Sequence, residues 1–211
     1  MRLNQRATHL ATLMTLAVYT FAALNHARAA PTVLNFDDLS NAEHLASISY
    51  GGLTWETGIP GMSGQPGVWI ASIGGHPHSL PMVLVNGNGS TQMGIGFPSP
   101  VQMGGMYVAV QGNASDAWAG GLQIHGFSNG LEVAISDAFA PITTTPRWFD
   151  LSGLPQIDRI VIYALGAPPT EPVGVYGLDD LTFTYVPEPV GIPLGLLALG
   201  GLLLRRKRRW R

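Results

Sequence analysis

Gly121 to Ser136 reads GLQIHGFSNGLEVAIS. In an extended chain Leu122 and Ile124 fall on one side and Gln123 and His125 on the other, the period-two alternation of a half-buried strand. Beyond the break, Leu131, Val133 and Ile135 alternate with Glu132, Ala134 and Ser136. Between them stands Ser128-Asn129-Gly130, and Asn-Gly supplies the consecutive positive φ angles that a type I′ turn requires. The stretch therefore predicts an antiparallel hairpin with one apolar row on each strand facing a core.

The same grammar runs outward in both directions. Short apolar runs separated by Gly, Pro, Asn and Ser predict strands at Thr32–Phe36, Ile48–Trp55, Gly67–Ile73, Met82–Val85, Gln92–Phe97, Val101–Val110, Arg147–Leu151, Ile157–Ala164 and Leu178–Tyr185. Gly51-Gly52 is expected to form a bulge. Val101–Val110 is apolar enough for a strand buried on both faces. Asp38–Leu45 (DLSNAEHL) is the one weakly helical stretch. About eleven strands joined by short turns specify an all-β fold, an antiparallel β-sandwich with jelly-roll-like connections, over residues 30–185.

The two ends of the chain follow other rules. Arg2 and Arg6 precede the apolar stretch Leu10–Leu24, and Ala27-Arg28-Ala29 has the small-x-small form of a cleavage site, so residues 1–29 are read as a secretory signal peptide. At the other end Val186–Arg211 reads VPEPVGIPLGLLALGGLLLRRKRRWR. Pro187 and Pro189 keep that segment extended and accessible. As a hydrophobic helix, Val190–Leu204 would reach ~22 Å, short of a ~30 Å hydrocarbon core, and would span by local thinning and snorkelling. Arg205, Arg206, Lys207, Arg208, Arg209 and Arg211 resist crossing and form a cytoplasmic stop. An accessible peptide, a marginal span and a basic stop have the layout of a signal that is read and removed.

Pro187-Glu188-Pro189, the Gly/Leu-rich span and the Arg-rich end together resemble the PEP-CTERM sorting domain of secreted bacterial proteins. The resemblance implies export through the Sec translocon, transient anchoring in the inner membrane and recognition of the Pro187-Glu188-Pro189 motif by exosortase. It further implies delivery to the surface or extracellular matrix of an exopolysaccharide-producing Gram-negative bacterium. The stretches WFDLSGL, IDRIVIYA and YGLDDLTF, between Trp148 and Phe183, resemble the jelly-roll ectodomains of such proteins, which are similar to carbohydrate-binding modules. This second resemblance bears on the fold; the reading drawn for the exported domain is a non-enzymatic surface or matrix protein, adhesive or carbohydrate-binding, with exopolysaccharide as partner.

Charge supports the division. The chain carries 11 Lys+Arg and 13 Asp+Glu, for a net charge of −2. Between Ala30 and Pro189, however, the basic residues are Arg147 and Arg159 alone against all 13 acids, a net charge of −11. Such a surface disfavours nucleic acid and anionic lipid and tolerates divalent cations. With no cysteine, the exported domain must rely on its own core.

The candidate site residues are few. Asp37-Asp38 follows the first strand and Asp179-Asp180 enters the last. Terminal strands of a jelly roll often lie side by side, so Asp38 and Asp179 are candidates for one structural Ca²⁺; the alternative is turn-capping aspartates. Period two places Asp179 with Leu181, Phe183 and Tyr185 on the core face, where it needs a partner such as Arg159. Trp118, in the small-residue loop NASDAWAGG, is the candidate ligand contact, with Trp55, Trp69 and Trp148 assigned to strands and the core. His76 and His78 read as solvent-exposed loop histidines. No G-x-S-x-G elbow, P-loop or nucleophilic cysteine occurs, so no catalytic residue is assigned. The alternative reading is a secreted glycosidase-like hydrolase, which would require two carboxylates about 5–10 Å apart in a groove.

Overall fold

The computed structural model describes residues 29–40, 45, 49–56, 67–70, 76–86, 91–111, 119–166 and 174–187, with backbone alone at 67–70. Ala30–Val186 forms one compact unit. Among the described residues it contains ten strands: β1 Thr32–Leu34, β2 Thr54–Glu56, β3 Gly67–Ile70, β4 Met82–Val85, β5 Gln92–Val110, β6 Gly121–Ser128, β7 Leu131–Ile135, β8 Arg147–Asp150, β9 Ile157–Leu165 and β10 Tyr176–Tyr185. Their pairings are all antiparallel. The all-β class expected from the alternation is the class the chain adopts.

One strand organises the rest. The first part of β5 pairs with β2 on one side and β9 on the other, and β9 leads on to β6 and β7. The second part pairs with β8 and β10, and β10 carries β4 and β1 on its far edge. Two leaves result, β2-β5-β9-β6-β7 and β8-β5-β10-β4-β3, sharing β5. The crossover lies at Phe97-Pro98-Ser99-Pro100, where the partner register jumps from Gly96↔Arg159 to Val101↔Ile157. Pro98 and Pro100 have no N–H to give a ladder, so pairing lapses and the strand turns there. The sequence reading split this element into two strands. The two pieces are continuous in backbone but belong to different leaves.

The inner row of the first leaf runs Trp55↔Ile95↔Ile160↔Gly126, with Met93↔Ile162↔Ile124 beside it. The second leaf contributes Met106, Val108, Phe149, Leu178, Leu181 and Phe183, and all of these belong to one core cluster. Each such side chain, taken fully out of water, contributes roughly 1.5–3 kcal/mol before entropy is counted. β1 lies beside β10, with Thr32 opposite Phe183, so the terminal strands are neighbours as expected.

Four local expectations are corrected. Gly51 and Gly52 sit at φ 64 and 71 in a 3₁₀ turn spanning Tyr50–Gly52, not in a bulge. The hairpin turn forms with Asn129 and Gly130 at φ 51 and 77, but β7 does not bury its alternating residues. The register passes from Gly126↔Ala134 to Phe127↔Glu132, leaving Val133 without a partner. This bulge on an edge strand breaks the single apolar face, and Leu131, Val133 and Ile135 are all exposed. β1 stops at Leu34 because Phe36, fully buried, takes φ 62. Finally, of the helix expected over Asp38–Leu45, residues 38–40 pass through a turn and a bend instead, with Leu39 N–H donating to the Phe36 carbonyl at 3.1 Å; Leu45 is buried in the core and 41–44 lie outside the described residues.

Among the described residues no helix is long and apolar enough to cross a membrane. Residues 1–28 of the signal peptide, the hydrophobic span Val190–Leu204, Glu188, Pro189 and the basic stop lie outside them. Pro187 is described and exposed.

Candidate functional site

The two leaves carry different outer faces. On the first leaf the polar groups satisfy one another. Arg159 forms a two-point pair with Glu56, Nε to Oε1 at 2.8 Å and Nη2 to Oε2, and its guanidinium lies 5.0 Å from the Phe127 ring centroid. The hydrogen bond to Glu56 raises the Arg159 pKa. His125 Nδ1 donates to Glu132 at 2.7 Å and its ring leans on Tyr163. An open depression of about 490 Å³ lies beside this face, lined in part by Thr54, Asp158, Arg159 and Asn129.

On the second leaf an aromatic corner projects outward. Phe149 of β8 points into the core, so the alternation turns Trp148 to the other side, opposite Tyr107 of β5. The two rings meet edge to face, 5.3 Å apart and inclined by 66°. The loop before β4 then places His78 flat on Tyr107, with ring centroids 3.4 Å apart and 4° between the planes. His78 Nδ1 donates to Asp180 Oδ2 at 2.6 Å, which fixes the imidazole orientation. Trp148 is 40% exposed.

A glycine makes this corner possible. Gly105 lies at φ 155, and a Cβ there would collide with the Trp148 ring and with the Phe149 carbonyl oxygen. Without one, the indole lies directly over the β5 backbone.

Asp179 is opposite Tyr107, on this outer side and not on the core side. The correction has a local cause: Asp180 takes φ 49 and the register shifts between Asp179 and Thr182. Leu178 and Leu181 therefore both face the core, three residues apart, and the parity inferred from Leu181 does not reach Asp179. Asp179 is nonetheless 2% exposed, because the loop before β4 closes over it. Its partner is that loop, not Arg159: Ser79 N donates to Oδ2 at 2.7 Å, Ser79 Oγ contacts both oxygens, and Asp180 N donates to Oδ1. Burial, reinforced by the neighbouring Asp180 charge, outweighs these donors and pushes the Asp179 pKa up to about 6.

Asp38 is engaged elsewhere. It accepts the Tyr50 hydroxyl at 2.7 Å; burial, then this bond, raises the Tyr50 pKa. Asp37 Oδ1 accepts the Met82 N–H at 3.0 Å. Asp38 and Asp179 thus have separate partners. Among the described residues no group of three or more His, Asp or Glu is placed to hold a metal ion.

The other sequence candidates divide similarly. Trp55 is buried and its Nε1 donates to the Tyr50 carbonyl, as its strand position implied. Trp118 and the Trp69 side chain lie outside the described residues. His78 is exposed in its loop as read, and is in addition bonded and stacked in the corner; Trp148 corrects the reading, since it is on the surface. The inward apolar Phe149 in Arg147–Asp150 was the signal that marked Trp148 as outward. No comparable signal existed for His78, whose partner Asp180 is 102 residues away.

An antiparallel two-leaf β-sandwich with an exposed aromatic corner is the class of molecule these features define. No protein-family model matches the chain, and no curated protein matches it. Among solved structures it is similar to one of Clostridium perfringens ZmpB, comprising the M60 catalytic domain with the CBM51-1 and CBM51-2 domains, at 11% identity and a TM-score of 0.39. That likeness covers 73% of this chain and 15% of the other. It is also similar to GH31 CBM32-2, solved bound to GalNAc, at 16% identity and a TM-score of 0.34, covering 74% of this chain and 99% of that one.

Proposed function

We propose that this chain is an exported, non-enzymatic β-sandwich that binds carbohydrate at the surface or in the extracellular matrix, and is sorted there through its C-terminus. The observation that carries the binding half is the aromatic corner on the second leaf. A pyranose presents a flat face of C–H groups, and an exposed indole held against the backbone is pre-ordered to receive it with little loss of side-chain freedom. Asp180, bonded through Oδ2 to the His78 ring that stacks on Tyr107, offers carboxylate acceptors for hydroxyls. The sorting half rests on the resemblance of Val186–Arg211 to PEP-CTERM signals, with Pro187-Glu188-Pro189 as the recognised motif and exosortase as the processing partner.

Two measurements test the two halves separately. Retention of the full chain on the producing organism's own exopolysaccharide should fall at least tenfold when Trp148 is replaced by alanine; equal retention would place the binding surface elsewhere or abolish the reading. Intact mass of protein recovered from cells and from matrix should show loss of residues beyond the Pro-Glu-Pro motif in the matrix pool. An uncut C-terminus in both pools would remove the sorting half alone.

A further inference from the structure

We infer that the aromatic corner selects uncharged glycans and rejects those bearing carboxylate or sulfate. The inference rests on the carbohydrate-binding reading above and adds the class of sugar. It follows from the placement of charge around Trp148 and from the scarcity of cations in the whole domain.

Every charged side chain on the strands around the corner is acidic except one arginine that is turned away. Asp150 is two residues beyond Trp148 on β8, fully exposed, opposite Gly105. Its carboxylate accepts the Ser152 N–H at 2.9 Å, and that bond lowers its pKa. Asp180 holds His78 on the far side of Tyr107, and Asp179 lies beneath the loop. The imidazole of His78 is already bonded to one of these acids, so it brings no unshared positive charge.

The two arginines between Ala30 and Pro189 are both committed elsewhere. Arg147 precedes Trp148 and so projects from the opposite side of β8; its Nη1 donates to the Pro141 carbonyl at 3.0 Å and its guanidinium lies over Phe139. Arg159 is on the other leaf, paired with Glu56. Carboxylate and sulfate sugars are ordinarily held by an arginine fork or a lysine, and the corner can offer neither. A uronate stacked on Trp148 would instead bring a second anion close to Asp150 and Asp180, partly shielded from water by the rings, where like charges repel more strongly than in bulk solvent. A neutral pyranose meets no such opposition, and the carboxylates become acceptors for its hydroxyls.

The test uses the full chain, at pH 8 and near-physiological salt, with tryptophan fluorescence and calorimetry as readouts. The probes are neutral glucan and galactan oligosaccharides and, at matched length, oligogalacturonate and a sulfated galactan oligosaccharide. Neutral oligosaccharides should bind. The acidic ones should bind roughly tenfold or more weakly, and lower salt should widen the gap. Trp148→Ala should abolish neutral binding and Trp148→Phe should retain part of it. Asp150→Asn, an exposed change that spares the fold, should narrow the gap by improving the acidic ligands alone. Equal or tighter binding of the uronate or sulfate series would overturn the inference while leaving carbohydrate binding intact. Binding of neither class, or neutral binding indifferent to Trp148, would overturn both together.

Discussion

The two outer faces of this sandwich are built on the same core and use their polar groups oppositely. On the β2-β5-β9-β6-β7 leaf, Glu56 meets Arg159 and Glu132 meets His125, while Leu131, Val133 and Ile135 stand exposed on β7. On the other leaf the His78 imidazole is spent holding a ring pair in place, and a tryptophan is left exposed. The comparison teaches that one face spends its cations on its own carboxylates. Rings held by charge make a surface with something still to cover.

Glycine substitutions should separate the faces most sharply. Gly105→Ala adds a methyl group that meets backbone oxygen and the indole, at a φ that L-residues avoid. A loss of about 3 kcal/mol is expected from chemical denaturation, with a changed tryptophan emission. Gly94→Ala on the first leaf instead meets the Glu56 carboxylate, which can swing aside, and the Glu56 Cβ at 3.0 Å, so about 1–2 kcal/mol should be lost. Equal losses at both positions would erase the distinction.

The next effect concerns pH. Asp179 has a folded pKa of about 6 against 3.8 in its ordinary state. The folded protein therefore binds this proton more tightly than the unfolded chain does. The stabilisation is complete below pH 3.8 and is lost as pH rises through 6, on the order of 2–3 kcal/mol in total. Stability measured from pH 4 to 7.5 should thus carry a downward component that Asp179→Asn removes. A variant with the wild-type slope would show that the closed loop before β4 does not desolvate this carboxylate.

Smaller effects sharpen the picture. Asn129→Ala puts a β-carbon-only residue at φ 51 and removes the Asn side chain from the turn, which should cost about 1 kcal/mol in thermal or denaturant melts. Glu56→Gln breaks a pair whose members are each about one-third exposed; after solvent screening it should cost about 0.5 kcal/mol, less at high salt. A loss above 2 kcal/mol there would mean that the first leaf depends on its charges for stability as well as for closure.

The hairpin at Asn129-Gly130 and the inner rows of β6, β9 and β10 were legible because alternation and turn chemistry are local. What defeated the reading were single-residue irregularities. One unpaired residue at Val133 exposed the apolar positions of β7, and one positive φ at Asp180 moved Asp179 to the opposite face. Period-two reasoning carries its phase through a strand and has no means of detecting a slip. Within the candidate site, Trp148 was recoverable from its neighbour Phe149. His78 was not, because a stacking partner and a carboxylate supplied from distant strands leave no trace in HPHS itself.

The shared strand has a mechanical consequence. Since the nineteen residues of β5 lie between two neighbours in each leaf, neither half can fray away and leave the other standing. Amide exchange in Met93–Ile95 and in Met106–Val110 should accordingly report one opening free energy. The kinked prolines at its middle would act as an axle about which both leaves come apart in a single event.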